Sequence, residues 1–544
     1  MMTPVPWPGV ESRPRAIVAR ALLYLSVAGV TASLRFLGLV GFSNDHYVGL
    51  AGAQQMLLGD WPTRDFLDPG LPLMYAASAG VQLMFGRNLF AEAMLVCCAF
   101  GIGAGLTVIA VRQLTGSLLL GIAGASFEVA IFPFTYSYPK ILLYAAGPLV
   151  MWWYARRPSI GRMAGLAAFI SVAFLFRHDH GVYLGCGAVL AVAFASGDGM
   201  HRRIGARIGL MMALTMAAVL PYLIYLFVNG GVFAHFQRGL AFTASEAERT
   251  TLMTPAFSVT ASLERNSTAF LYYLFWFLPL AAAVVLIPRL REPQWRATMA
   301  KVAPLVVVAL LVNRGFLRET LSDRLADAIV PAVLLAAWLI ASGYQFFRGG
   351  RVVIGVAATM VVGMSAVAVG QVGHTAEQLN RASVFGGVRR LPERFIDRAD
   401  ELHGRFAVRQ MPAGPVSALI PFFEYADRCT TTEHRLLLPG FIPEVAVYAQ
   451  RPFAGGRSSF FPGIFTSAAD EAFTKRRLAQ ELVPIAIVSA AWRESIPPYL
   501  SAFIAARFEP VTSYHFRGGS ADVLINREIT PVRRDAATGW PCFR

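Results

Sequence analysis

Four consecutive ionisable residues, Arg177-His178-Asp179-His180, stand between two apolar runs with almost no loop to carry them. They must lie at or within a membrane boundary, where charge is costly and usually serves a site. Other reactive side chains occupy similar positions. Asn44-Asp45-His46-Tyr47 follows the first apolar run, and Gly59-Asp60-Trp61-Pro62 and Arg64-Asp65-Phe66-Leu67-Asp68 come soon after. Lys140 opens another run, and Asn313-Arg314, Arg318-Glu319 and Asp323-Arg324 cluster further on. A carboxylate such as Asp45, held at the start of a loop beside lipid head groups, suits a reaction on a lipid-borne substrate. Each group also has a plainer use. Asp45 suits a helix N-cap, and Lys140 and Arg314 suit snorkelling to the interface. Asp60 and Asp68, each near Gly or Pro, suit turns. No metal-ligand spacing appears, and the side chains of His178-x-His180 would diverge on a helix; neither a metal nor another cofactor is called for.

The elements that must position these groups are membrane spans. Only 15% of the 544 residues are charged and 56% are hydrophobic, against about 25% charged in soluble domains, and the deficit falls on residues 16–372. Runs of roughly 18 or more apolar residues read as spans. Hydropathy gives twelve candidates: 16–41, 71–86, 89–111, 115–132, 139–155, 163–177, 181–196, 208–228, 269–288, 302–313, 326–347 and 352–372. If all twelve cross with the N-terminus inside, nearly every basic loop falls outside, against the positive-inside rule. The weakest candidate is 71–86, about 16 residues with Pro72 at its start and Gly80 within it. Short apolar stretches are often interfacial or re-entrant. Without it, Arg112, Arg156, Arg202, Arg289 and Arg348 all fall inside. The reading is therefore eleven spans, a cytoplasmic N-terminus, an outer loop over 42–90 and an extracytoplasmic tail over 373–544. Within the loop, 46–58 and 71–86 fit interfacial helices.

The net charge of +15 follows from those basic loops, and no nucleic-acid motif accompanies it. Cys97, Cys98 and Cys186 lie in apolar runs as small hydrophobes. Cys429 and Cys542 lie in the tail and are able to pair if it faces an oxidising compartment. The tail is long enough for one small α/β domain. Its strand-like runs are Val416–Phe423, Pro484–Val488 and Ala521–Ile525, and its helical stretches are 389–403 and 469–482. The stretch PEVAVYAQRPFAGGRSSFFPGIF, rich in Gly, Pro and aromatics, reads as a long packed loop, with sugar contact through Tyr448, Phe460 or Phe461 as the alternative.

Asp45 after the first span, then GDWPTRDF, PGLPLMY and LMFGRN, resemble the first outer loop of membrane-embedded glycosyltransferases of the C superfamily. That group includes protein O-mannosyltransferases and lipid A aminoarabinose transferases. The resemblance covers residues 16–185 with usable motifs and is architectural beyond. The chain departs from the pattern in having Asp45-His46 where an Asp-Glu pair is frequent, and Gly70-Leu71-Pro72 where Pro-Pro is frequent. Either His46 then contributes in place of the second acid, or Asp65 or Asp68 supplies the second carboxylate.

The resemblance implies a polyprenyl-phosphate sugar donor, a lipid, glycan or protein acceptor, and transfer with inversion among the membrane lipids. Such a step needs a carboxylate to take the acceptor's proton and cations for the departing phosphate. It implies Asp45 as the base, with Asp65 orienting acceptor or base. His46, Tyr47, Arg64, Lys140, Arg177, His178, Asp179, Arg314 and Arg318 would hold substrate, Arg through its bidentate fork. Two alternatives are a transporter of lipid-linked glycans, disfavoured by the lack of internal repeats, and a polysaccharide polymerase or ligase. The high Ala, Gly and Arg content and compact loops fit a bacterial inner membrane.

Overall fold

A computed structural model describes residues 14–39, 41–195, 201–249, 254–317, 319–346, 351–404, 415–460, 463–516 and 519–544. The helices up to residue 372 are α1 (Pro14–Leu37), α2 (Asn44–Leu57), α3 (Pro72–Phe85), α4 (Leu89–Thr115), α5 (Leu118–Ala130), α6 (Tyr138–Arg156), α7 (Ile160–Phe176), α8 (His178–Ala195), α9 (His201–Asn229), α10 (Val232–Arg249), α11 (Leu263–Leu286), α12 (Arg296–Asn313), α13 (Leu321–Phe346) and α14 (Arg351–Val372). Among the described residues, seven are long and apolar enough to cross a membrane: α1, α4, α9 and α11–α14. α5 and α7 are apolar but shorter. The chain is an integral membrane protein. The run expected over 302–313 belongs to a longer helix, α12, because its polar first turns escape a hydropathy window.

Beyond residue 372 come α15 (Thr375–Arg381), α16 (Leu391–His403), α17 (Pro415–Ala418), α18 (Ile420–Cys429), α19 (Glu444–Ala449), α20 (Ala468–Gln480) and α21 (Pro498–Arg507). The strands are β1 (Leu436–Leu437), β2 (Ile485–Ser489), β3 (Phe508–Phe516), β4 (Gly519–Asn526), β5 (Arg533–Arg534) and β6 (Pro541–Cys542). The strand expected over Val416–Phe423 is instead helical, in α17 and α18. Pro415 and Pro421 sit in the opening turns of those helices, where a missing N–H costs nothing. Phe422, Phe423, Tyr425 and Ala426 are buried around α18 rather than in alternation.

The chain divides into two compact units. Unit 1 comprises 1–38, 96–223 and 247–391; unit 2 comprises 39–95, 224–246 and 392–544. In unit 1, α8 packs on α6, α7 and α12, and α13 packs on α5, α6 and α12. Gly181 is required at the joint of α7 and α8, since a Cβ there would meet Phe174 Cα at 2.4 Å.

Unit 2 holds a sheet in the order β1-β2-β4-β3, with β1 and β2 parallel and the other pairs antiparallel. Every residue of the central β2 is buried, whereas β3 lies at the edge, where Pro510 is tolerated beside a register shift. Leu437, Ala486, Val488, Leu500, Ile504 and Phe508 form the core. Cys429 and Cys542 are disulfide-bonded. α2 is a buried helix here, not one lying on lipid: Tyr47, Leu50, Ala51, Ala53 and Gln55 are at most 2% exposed. Gln54 donates to the carbonyls of Ala446 and Arg451, and Gln55 to that of Phe453. The apolar end of α3 stays open, with Leu83, Met84 and Phe85 at least 66% exposed.

Candidate functional site

The first group of candidate residues lies in unit 2, at the head of α2. Ser43 occupies the N-cap position, so Asp45 sits within the first helical turn rather than capping it. A carboxylate there is favoured by the helix dipole. Asp45 is exposed while His46 and Tyr47 beside it are buried. His46 Nε2 lies 3.0 Å from Glu92 Oε1, which also accepts from Ser78 Oγ at 2.9 Å. This buried trio ties α2, α3 and α4 together, and Phe42 stacks on the His46 ring at 4.4 Å. Tyr47 Oη pairs with Tyr448 Oη at 2.7 Å, fixing α2 to α19. Burial pushes the adjoining Glu444 carboxyl up to about 7. His46 and Tyr47 therefore hold the segment that carries Asp45, and the structure gives them protein partners where the sequence suggested substrate. Tyr448 and Phe460 are buried too, as a packed loop requires, and Phe461 lies outside the described residues.

The loop after α2 is fastened by charge. Asp65 Oδ2 accepts from the Trp61 amide at 2.8 Å and from Arg64 Nε at 2.7 Å. Arg64 remains 48% exposed at its side chain. Asp60 accepts from Arg435 at 2.6 Å and from Gln55 at 2.7 Å. Arg477 lies 3.5 Å from Asp65 and 2.8 Å from Glu481. Thr63 takes a left-handed φ of 68°, a costly conformation for a β-branched residue. The turn is held by Thr63 N donating to Phe66 O, by Tyr225 Oη donating to Pro62 O, and by Leu67 N donating to Gly456 O. Asp68 is a turn residue, receiving the amides of Gly70 and Leu71 at 2.9 Å each. Burial nevertheless pushes its carboxyl up to about 6.

The second group lies in unit 1, where α6, α8 and α13 bring charges into contact. Lys140 Nζ lies 3.0 Å from Asp327 Oδ1, and Arg324 donates to Asp327 Oδ2 at 2.9 Å and to Glu319. Arg177 caps the end of α7, with its Nε 3.0 Å from Asp179 Oδ1. Asp179 also accepts from the His180 amide within the first turn of α8. His180 Nδ1 and Tyr144 Oη are 2.5 Å apart, and the His178 ring stacks on Phe174 at 4.4 Å. Arg177 and Asp179 are the open edge of this cluster, 30% and 26% exposed at their side chains, whereas Lys140, Arg324 and Asp327 are at most 5%. Arg314 is exposed at the end of α12, and Arg318 lies outside the described residues.

Sequence reasoning missed Asp327, Tyr144 and Glu92 as members of these clusters, and took Arg324 only as a loop charge. Asp327 and Glu92 each sit inside an apolar run, and a lone intramembrane carboxyl is a signal in its own right. Among the described residues, no three His, Cys, Asp or Glu side chains converge as a metal site.

No family model matches the sequence, and no curated protein matches it. Among solved structures, the chain is similar to ArnT from Cupriavidus metallidurans bound to undecaprenyl phosphate. The TM-score is 0.48 at 16% identity, over 97% of this chain and 100% of that one. At that score and identity no residue role passes from one chain to the other.

Proposed function

We propose that the chain is an inverting glycosyltransferase that moves a sugar from a polyprenyl-phosphate donor to an acceptor hydroxyl. It works at the extracytoplasmic face of a bacterial inner membrane, with eleven spans and the N-terminus in the cytoplasm. The observation that carries the proposal is Asp45, an exposed carboxylate in the first turn of a helix that His46, Tyr47, Gln54 and Gln55 fasten to the rest of the protein. A helix so fixed can hold a base in place at no cost during reaction.

Asp45 takes the acceptor's proton as its oxygen attacks the anomeric carbon. The new C–O bond forms opposite the phosphate, and the old one breaks with its electron pair going to phosphate oxygen. Arg64, in the same unit as Asp45, is the cation assigned to that charge, while Arg177, Arg314 and Lys140 stay candidates for substrate from their sequence positions. Asp65 orients Arg64, and Asp179 orients Arg177, through the ion pairs above. His178 is assigned to the same group as Arg177, and Arg318 stays a candidate from its sequence position. The proposed carrier is of the class bound by ArnT, a polyprenyl phosphate. The test is transfer by purified protein from radiolabelled polyprenyl-phosphate sugars to crude envelope acceptors, comparing wild type with Asp45→Asn. Translocation of lipid-linked glycan without transfer would favour a transporter instead.

A further inference from the structure

We infer that a cavity of about 420 Å³ in the C-terminal part of unit 2 is a glycan-binding site. Its size falls within the roughly 300–1,000 Å³ of small-molecule sites, and its lining combines aromatic faces with hydrogen-bonding groups. Arg457 forms the floor, with its guanidinium 4.8 Å from the Phe460 ring centroid and 5.4 Å from that of Phe465. That guanidinium is pinned: its terminal nitrogens donate to the carbonyls of Ile464 and Phe465 and, at 3.4 Å, to Tyr499 Oη. Tyr499 is half-buried and forms a second aromatic wall. Glu471, Thr466 and Ser495 supply a carboxylate and two hydroxyls at the rim. Glu471 is itself positioned by Lys475, 2.6 Å away, whose ammonium sits 5.3 Å from the Tyr499 ring.

Two features separate this cavity from a packing fault. Phe465 holds a left-handed φ of 53°, which a bulky residue adopts only where its surroundings impose it. Such strain gathers at ligand clamps. The lining also excludes simpler occupants. An alkyl chain would leave Arg457, Glu471, Thr466 and Ser495 facing hydrocarbon. A bare anion would find three of the five Arg457 N–H groups already given to protein oxygens and the Glu471 carboxylate in the same lining. A pyranose matches both halves, with its C–H face against Tyr499 or Phe465 and its hydroxyl rim against the carboxylate and hydroxyls. The site rests on the transferase reading only in calling the bound glycan the acceptor.

The test uses the full-length protein in detergent, without donor, and saturation-transfer NMR with maltotriose, triacetylchitotriose and trigalacturonate. Saturation should reach the ring protons of at least one of them. It should fall at least tenfold in Tyr499→Ala and persist in Tyr499→Phe. Glu471→Ala, at the rim, should weaken binding as well and serves if Tyr499→Ala does not fold. No saturation of any of the three by folded wild-type protein would overturn the site, as would equal saturation in folded Tyr499→Ala and Glu471→Ala. Binding should be unchanged in Asp45→Asn, so that failure of transfer and failure of this site are told apart.

Discussion

Lys140 Nζ on α6 and Asp327 Oδ1 on α13 are 3.0 Å apart, with both side chains at most 5% exposed. Asp327 also holds Arg324, so one carboxylate answers two cations. Breaking a buried pair on one side leaves a charge uncompensated and costs about 3–5 kcal/mol. Asp327→Leu orphans Lys140 and leaves Arg324 only Glu319, whereas Lys140→Met leaves Asp327 its Arg324. Thermal unfolding in detergent should therefore place Asp327→Leu below Lys140→Met. The double variant should recover part of the loss. Equal stability of Asp327→Leu and wild type would contradict this assignment.

Cys429 and Cys542 close a loop 113 residues apart in sequence. Loss of such a link costs about 2–5 kcal/mol, so Cys542→Ser should unfold at lower denaturant than wild type. The bond also reports orientation, because it persists only in an oxidising compartment. Maleimide labelling of denatured protein from cells should find this pair blocked unless reductant is added first. Free thiols at both positions would put the tail on the cytoplasmic side.

Asp68 gives a pH dependence whose sign follows from its carboxyl being raised to about 6 from 3.8 by burial. The folded state then binds the proton more tightly than the unfolded chain. Stability falls as pH rises from about 4 to about 6 and is level above that, where the full cost is present. Asp68→Asn keeps an acceptor for the Gly70 and Leu71 amides and has no charge to bury. It should exceed wild type at pH 8 by on the order of 2–3 kcal/mol, with the gap closing near pH 4. A gap that widens on acidification would reverse the assignment.

Asp65 is assigned to holding Arg64, and the two roles separate kinetically. Asp65→Asn keeps the bond from the Trp61 amide but loses the charge facing Arg64. A hydrogen bond to a charged group is worth about 1.5–3 kcal/mol, so kcat/KM for the donor should fall roughly ten- to a hundredfold. The loss should appear largely in KM. A collapse of kcat as deep as that of Asp45→Asn would make Asp65 a second base.

The long membrane-spanning helices are legible in the sequence because bilayer thickness forces long apolar runs. The run 71–86, too short to cross, forms α3, a 14-residue helix of unit 2. Lys140, Arg177 and Asp179 stand out as charges at the ends of apolar runs. Asp327 and Glu92 fall within the first turn of the runs 326–347 and 89–111, where a hydropathy average absorbs one acid among many apolar neighbours. Their partners, Lys140 and His46, are 187 and 46 residues away, and nothing local encodes such pairings. The burial of α2 was hidden for the same reason: Gln54 and Gln55 read as a polar face for water, but they bond to backbone 392–398 residues further along. In 416–423 a run of apolar residues carried no period to tell helix from strand, and the proline positions were the discriminating signal.

Asp45 is the proposed base of a sugar transfer from a polyprenyl phosphate. Single-turnover transfer from a radiolabelled polyprenyl-phosphate sugar measures it directly, with donor binding followed in parallel. Asp45→Asn should bind donor as wild type does and lose roughly 10²–10⁴-fold in rate, with the loss shrinking as pH rises and the acceptor ionises unaided. Transfer at the wild-type rate by Asp45→Asn would contradict the account.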